Sequence, residues 1–210
     1  MLEPHLRPGQ LVVDLGTSRP SDSAERAARL AERGVGWVDA PVSGGPEAIV
    51  ERRLAIMAGG GEPHVAQARP ILEEAGDVVH VGGPGAGHTV KLINQVIVCL
   101  TIEAVAEALV LAERCGLELD LVREALTGGS ADSRILQVQG ARMIAHDYTP
   151  AAKATIMLKD LRLISELAGS VGAALPHVAG TRALYEELIA AGEGGLDASA
   201  LHKLRLAADA

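Results

Sequence analysis

Phenylalanine is absent from this 210-residue sequence, and one tryptophan with two tyrosines makes up its aromatic content. A core without aromatic bulk has to be filled by Leu, Val, Ile and Ala, which suits closely packed helices. Cysteine is nearly as scarce. Cys99 and Cys115 fall in what reads as one continuous helix, about 24 Å apart at ~1.5 Å per residue, whereas a disulfide needs under roughly 7 Å between Cα atoms. Both are therefore expected to be buried apolar fillers, in a cytoplasmic protein. Uninterrupted apolar runs such as Val96–Leu100 are too short for a bilayer. Residues 1–10 lack the apolar core of a secretory signal. Neither a membrane span nor a targeting segment is expected.

Other absences narrow the function. Positive charge is outnumbered, with 19 Lys and Arg against 27 Asp and Glu and a formal net charge of −8, the wrong sign for neutralising nucleic-acid phosphates. The seven histidines are scattered without metal-ligand spacing, so no metal is expected. No Gly-x-Ser-x-Gly elbow marks a hydrolytic nucleophile. A dinucleotide-binding fingerprint needs glycines at i, i+2 and i+5. The glycine pairs two apart begin at Gly34, Gly59, Gly83, Gly85 and Gly192, and their fifth positions hold Asp39, His64, His88, Val90 and Asp197.

What is present divides in two. Residues 1–84 alternate short apolar runs with helical ones, the pattern of an α/β layer. Strands are predicted at 11–15, 36–40, 54–58 and 78–81, and helices at 21–33 and 62–75. After Gly82-Gly83-Pro84-Gly85 the strand signal stops. Residues 85–210 read as an all-helical domain, entered by a long helix from about Gly87 to Cys115, ~43 Å in length. Further helices are predicted at 120–126, 133–146, 154–171, 176–191 and 199–207.

Four short runs carry possible chemistry. In Asp39-Ala40-Pro41-Val42-Ser43-Gly44-Gly45, the side-chain-free Gly44 and Gly45 let main-chain N–H groups converge on a carboxylate, with the Ser43 hydroxyl as a further donor. Taken alone, the same run is a strand-to-loop turn. Lys91, in Gly85–Gln95, falls in the first turn of its helix or just beyond, where the positive end of the helix dipole disfavours an ammonium and tunes the amine for proton transfer. Taken alone, it is a surface lysine. Asn94 and Gln95 follow at i+3 and i+4, and either amide can orient the lysine or a substrate. Lys159-Asp160-Leu161 reads by itself as a charged helix face. Thr17, after the first strand, sits where α/β sheets bind ligands, or caps the next helix.

In this order and spacing, and together with Leu54-Ala55-Ile56-Met57-Ala58-Gly59-Gly60, these runs resemble the β-hydroxyacid dehydrogenase family over about Leu11 to Leu204. The resemblance implies a partial Rossmann-like sheet layer joined by a long helix to an all-helical C-terminal domain, and a homodimer or homotetramer. It implies an oxidoreductase that moves a hydride between NAD or NADP and a small 3-hydroxy acid or its semialdehyde. Ser43, Gly44 and Gly45 would hold the substrate carboxylate, Lys91 would be the acid/base, and Asn94 and Gln95 would assist it. Thr17 and Lys159 would face the cofactor. The sequence departs from the family in Gln95, where a second Asn is usual, in Pro46–Arg53 after the glycines, and in the glycine loop. The first βαβ half is expected to be missing from this chain, so cofactor binding by the chain alone is expected to be weak. The alternative is a non-catalytic remnant, a helical oligomerisation or binding module.

Overall fold

A computed structural model describes residues 3–208 of the chain. The chain forms two compact units, Met1–Asn94 and Gln95–Ala210.

The first unit is a mixed sheet with helices. A single 3-10 turn, Glu3–His5, leads to strand β1 (Leu11–Asp14), helix α1 (Pro20–Ala31), strand β2 (Gly36–Asp39), strand β3 (Val42–Ser43), helix α2 (Gly45–Val50), strand β4 (Leu54–Gly60), helix α3 (Glu62–Leu72) and strand β5 (Gly76–Gly82). Helix α4 (Ala86–Arg114) begins here and continues into the second unit. Pro20 opens α1, where its fixed φ and missing N–H cost nothing, and Gly34, at φ +67°, follows its end. β1 runs parallel to β2, and β4 runs parallel to β5. Between these pairs β4 is antiparallel to β2 and then to β3, with Asp39 opposite Gly59 and Ser43 opposite Ala55. The path from Asp39 to Ser43 therefore follows one side of β4. Val38, Ile56 and Ala58 of these strands and Ala40, just after β2, are buried together with Val65, Ala68 and Leu72 of α3.

The second unit is helical. After the remainder of α4 come α5 (Leu119–Leu126), α6 (Arg134–Ile144), α7 (Ala154–Ser170), α8 (Pro176–Ala190), a 3-10 turn at Ala198–Ala200 and α9 (Leu201–Ala208). α7 lies along α8. Leu161, Ile164, Leu188 and Leu201 are buried with Tyr185, whose hydroxyl donates to the Ala198 carbonyl at 3.2 Å.

A sheet layer followed by a helical region is the fold class the sequence indicates, and the structure adds the following details. β3 and α2 are additional elements, too short to leave a periodic signal. Cys99 is buried but Cys115 is exposed, and neither forms a disulfide. Helix α4 is long and apolar enough, by length and composition, to cross a membrane, although no uninterrupted run suggested it. Half of its most apolar stretch is buried within the protein.

Candidate active site

The end of β2 and the start of α4 meet at a crowded point. Asp39 is fully buried, and its two carboxylate oxygens accept from the main-chain N–H groups of Gly85 at 2.8 Å and His88 at 2.9 Å. These are donors that a helix start leaves without intrahelical partners. A carboxylate from another element thus caps α4, a charge-assisted arrangement suited to the positive helix end. The approach is possible only because two residues lack Cβ. A Cβ on Gly87 would lie 2.3 Å from the Asp39 carbonyl oxygen and 2.4 Å from that of Met57, and one on Gly59 would lie 2.5 Å from the Gly87 nitrogen. The motifs around Asp39, Gly59 and Gly87 are therefore three sides of one junction.

Four residues beyond Asp39, the chain makes its second attachment to α4. The Ser43 hydroxyl donates to Asn94 Oδ1 at 3.2 Å. Gly44 and Gly45 follow with φ of +143° and +77°, conformations that only glycine adopts without strain. They turn the main chain from Ser43 into α2. Lys91 is half-buried on α4, between the residues held by Asp39 and the one held by Ser43. The structure thus gathers Ser43, Gly44, Gly45, Lys91 and Asn94 within the first unit. Thr17, also in that unit, is half-buried in the turn after β1.

The Asp39 carboxylate changes one part of the sequence argument. The positive helix end invoked to tune Lys91 carries a buried negative charge, which offsets it. His88, fully buried beside this junction, has its Nε2 3.9 Å from Asp14 Oδ2, too far for a hydrogen bond. Burial pushes its imidazole below the ordinary value, against the opposing pull of Asp39 and Asp14.

Gln95 and Lys159 are brought together in the second unit. Gln95 is buried, and its Nε2 donates to Asp160 Oδ2 at 2.6 Å, while the Lys159 ammonium lies 2.9 Å from Asp160 Oδ1. With a carboxylate as partner, the nitrogen of the Gln95 amide must be the end that faces Asp160. Asp160 is 2% exposed, so the run read as a charged helix face is charged outward only at Lys159. Sequence reasoning missed Asp160 and Asp39 as organising residues, yet a signal existed for each. Asp160 stands three residues after Met157 and four before Ile164, on the apolar stripe of α7, and Asp39 closes an otherwise apolar strand.

Among the described residues no group of three or more His, Cys, Asp or Glu side chains is placed to hold a metal ion. A cavity of about 750 Å³ lined by Leu6, Val12, Arg26, Leu30 and Trp37 contains none of the residues discussed above.

Two family models match the chain: residues 85–205 match the NAD-binding region of NADP-dependent 3-hydroxyisobutyrate dehydrogenase, and residues 1–83 match the NAD-binding domain of 6-phosphogluconate dehydrogenase. The chain is 41% identical to 2-hydroxy-3-oxopropionate reductase of Escherichia coli K12 over 194 residues, covering 92% of this chain and 66% of that protein. It is similar to the crystal structure of 3-hydroxyisobutyrate dehydrogenase from Salmonella typhimurium, with a TM-score of 0.89 and 32% identity over 95% of this chain and 70% of that one. The Mycobacterium tuberculosis 3-hydroxyisobutyrate dehydrogenase, solved with L-serine, gives a TM-score of 0.85 and 30% identity over 96% of this chain and 72% of that one. The chain thus spans slightly less than two thirds of the length of its E. coli relative.

Proposed function

The chain belongs to the β-hydroxyacid dehydrogenase family, and from that premise we propose that it serves hydride transfer between a nicotinamide dinucleotide and a small 3-hydroxy acid or its semialdehyde. The observation that carries this reading is the double attachment of the Asp39–Ser43 segment to α4. It supports the reading because it fastens the Ser43-Gly44-Gly45 turn to the helix that carries Lys91. The names of the relatives support the substrate class. A 2-hydroxy-3-oxopropionate and an L-serine both carry oxygen on the carbon β to a carboxylate, so one turn that holds the carboxylate fixes where the reacting carbon lies.

The residues present fit part of the cofactor. After β1 the chain turns, with the Gly16 N–H donating to Asp14 Oδ1 at 2.9 Å and with Leu15 and Gly16 exposed. An open strand end of this kind suits the nicotinamide and its ribose, with Thr17 as the residue of this unit that would hold them. The pyrophosphate finds no Gly-x-Gly-x-x-Gly in the 210 residues. When bound, the cofactor supplies or accepts the hydride at the β carbon. The protein's part is to bind and to move a proton. Gly44, Gly45 and the Ser43 hydroxyl receive the substrate carboxylate, the hydroxyl turning its single proton to it from Asn94 Oδ1, which holds Ser43 in place beforehand. The Lys91 ammonium donates a hydrogen bond to the carbonyl oxygen and gives up its proton as that oxygen becomes a hydroxyl. In the opposite direction the neutral amine takes the hydroxyl proton.

Isothermal titration of the chain with 3-hydroxypropionate tests the binding half, with S43A expected to weaken it about tenfold. Nicotinamide absorbance with 2-hydroxy-3-oxopropionate tests the chemical half, with K91A expected to lower turnover at least about a hundredfold. Absence of both saturable anion binding and Lys91-dependent turnover overturns the reading. A second reading, the non-catalytic helical binding module, predicts no saturable nicotinamide binding. Saturable NADPH fluorescence binding by the 210-residue chain counts against it.

A further inference from the structure

Asp39 has no part in the chemistry just described, yet everything that part requires is attached to it. Its carboxylate holds the residues on either side of Gly87, and its own main chain runs on through Ala40 and Pro41 to Ser43. Along that path the strand is tied on both sides, with the Ala40 N–H donating to the Asp14 carbonyl at 2.7 Å and the Met57 N–H donating to the Pro41 carbonyl at 3.0 Å. A displacement at Asp39 therefore has few ways to be absorbed before it reaches Ser43. On the other partner, α4 is a continuous helix from Ala86, so a shift at His88 moves Lys91, one turn further on, as part of a rigid element.

We infer that Asp39 is a positioning residue, whose carboxylate sets the distance between the Ser43-Gly44-Gly45 turn and Lys91 by fastening the end of β2 to the first turn of α4. This assignment rests on the proposed function for its consequence in binding, though not for its geometry. A helix cap that served stability alone needs no particular location. This one is drawn to a place where Gly59 and Gly87 both give up their side chains to let it approach, and where the capped helix and the capping strand each carry part of one site. The carboxylate form matters because two N–H donors are served by two oxygens. Asp39→Asn keeps the shape but offers one acceptor, and turns an NH2 group toward an N–H.

The test uses the whole 210-residue chain with 3-hydroxypropionate as probe, and reads probe affinity together with the side-chain amide resonances of Asn94 in the ligand-free protein. D39N is expected to weaken the probe at least about tenfold and to move the Asn94 resonances in the ligand-free chain. The double variant D39N/S43A is expected to bind no more weakly than D39N alone, because both act on one spacing. Leu30→Ala, a core truncation in the same unit away from Ser43 and Lys91, provides a destabilised control that is expected to move neither readout. If D39N does not fold, Asp39→Ser, which retains one hydroxyl acceptor, takes its place. Unchanged affinity in D39N with unmoved Asn94 resonances, or full additivity in the double variant, overturns the assignment. Should the parent chain fail to bind the probe, the proposed function falls, and the Asn94 resonances alone decide on Asp39: moved, they uphold it, and unmoved, they overturn it.

Discussion

Each of the two units is fastened by one fully buried aspartate that accepts main-chain N–H groups, and the pair differ in what their partners lead to. Asp39 serves Gly85 and His88 in the first unit. Asp197, in the second, accepts from the N–H groups of Ala151 at 2.9 Å, Ala152 at 3.0 Å and Ser199 at 3.1 Å, and from the Ser199 hydroxyl at 2.9 Å. Asp197 thereby ties the segment entering α7 to the turn entering α9, and its neighbours are alanines and helix ends. Asp39 lies among glycines that allow backbone to touch backbone, four residues from Ser43. The device is the same in both places, with each carboxylate oxygen accepting at least one hydrogen bond. What gives one of them a role in function is the chain it holds, so a buried, fully hydrogen-bonded carboxylate is by itself evidence of order only.

The comparison breaks most visibly at glycine. Gly87→Ala forces a Cβ to within 2.4 Å of two carbonyl oxygens and is expected to cost more than ~3 kcal/mol. Gly140→Ala in α6, whose Cβ would meet Leu136 and Val105 at an ordinary 3.5 Å, should be neutral or stabilise by up to ~1 kcal/mol. Urea unfolding of the two variants gives the answer, and equal losses would remove the contrast between a unit built on close backbone approach and one built on side chains.

Acid should weaken both units, through one histidine in each. Burial holds His88 below 6.5, and burial with the neighbouring His146 holds His202 below the same value. Both are therefore neutral in the fold, whereas the unfolded chain takes up protons near that pH. The stability they contribute is complete above about 6.5 and is lost as pH falls through each folded value, by up to ~1.4 kcal/mol per pH unit for each histidine. His88→Gln should flatten the acid limb of the first unit's unfolding only, and His202→Gln that of the second.

The smallest effects are expected where the units do not differ. Arg52 pairs with Glu74 in the first and Arg162 with Glu186 in the second, both exposed. Removing either arginine should change stability by less than ~0.5 kcal/mol in thermal unfolding.

Periodicity made the long elements legible. Leu11–Asp14 and Gly36–Asp39 were apparent as apolar runs, and α7 as an amphipathic repeat. The two-residue β3 and the six-residue α2 were not, because a period cannot be read over so few residues. At the site, the residue types suited to anion binding and proton transfer stood out, since Ser43, Gly44, Gly45 and Lys91 carry that chemistry in themselves. The buried aspartates stood out less. Asp39 and Asp160 are of a residue type most often found in water, so their places on an apolar strand and an apolar stripe were faint signals beside the long-range partners, 46 and 65 positions away in sequence, that reveal them as interior. Gln95 illustrates the same limit. Its place on α4 was evident, but its bond to Asp160 belongs to tertiary packing.

The scarcity of aromatic residues leaves the molecule with a separate optical label on each unit. Trp37, 7% exposed in β2 with its indole N–H donating to the Ser23 hydroxyl at 2.7 Å, is the sole tryptophan and lies two residues before Asp39. Both tyrosines, Tyr148 and Tyr185, lie in the helical unit. Indole emission therefore reports on the sheet that carries Ser43 and Asp39, and phenol absorbance on the helices, without any dye or engineered probe.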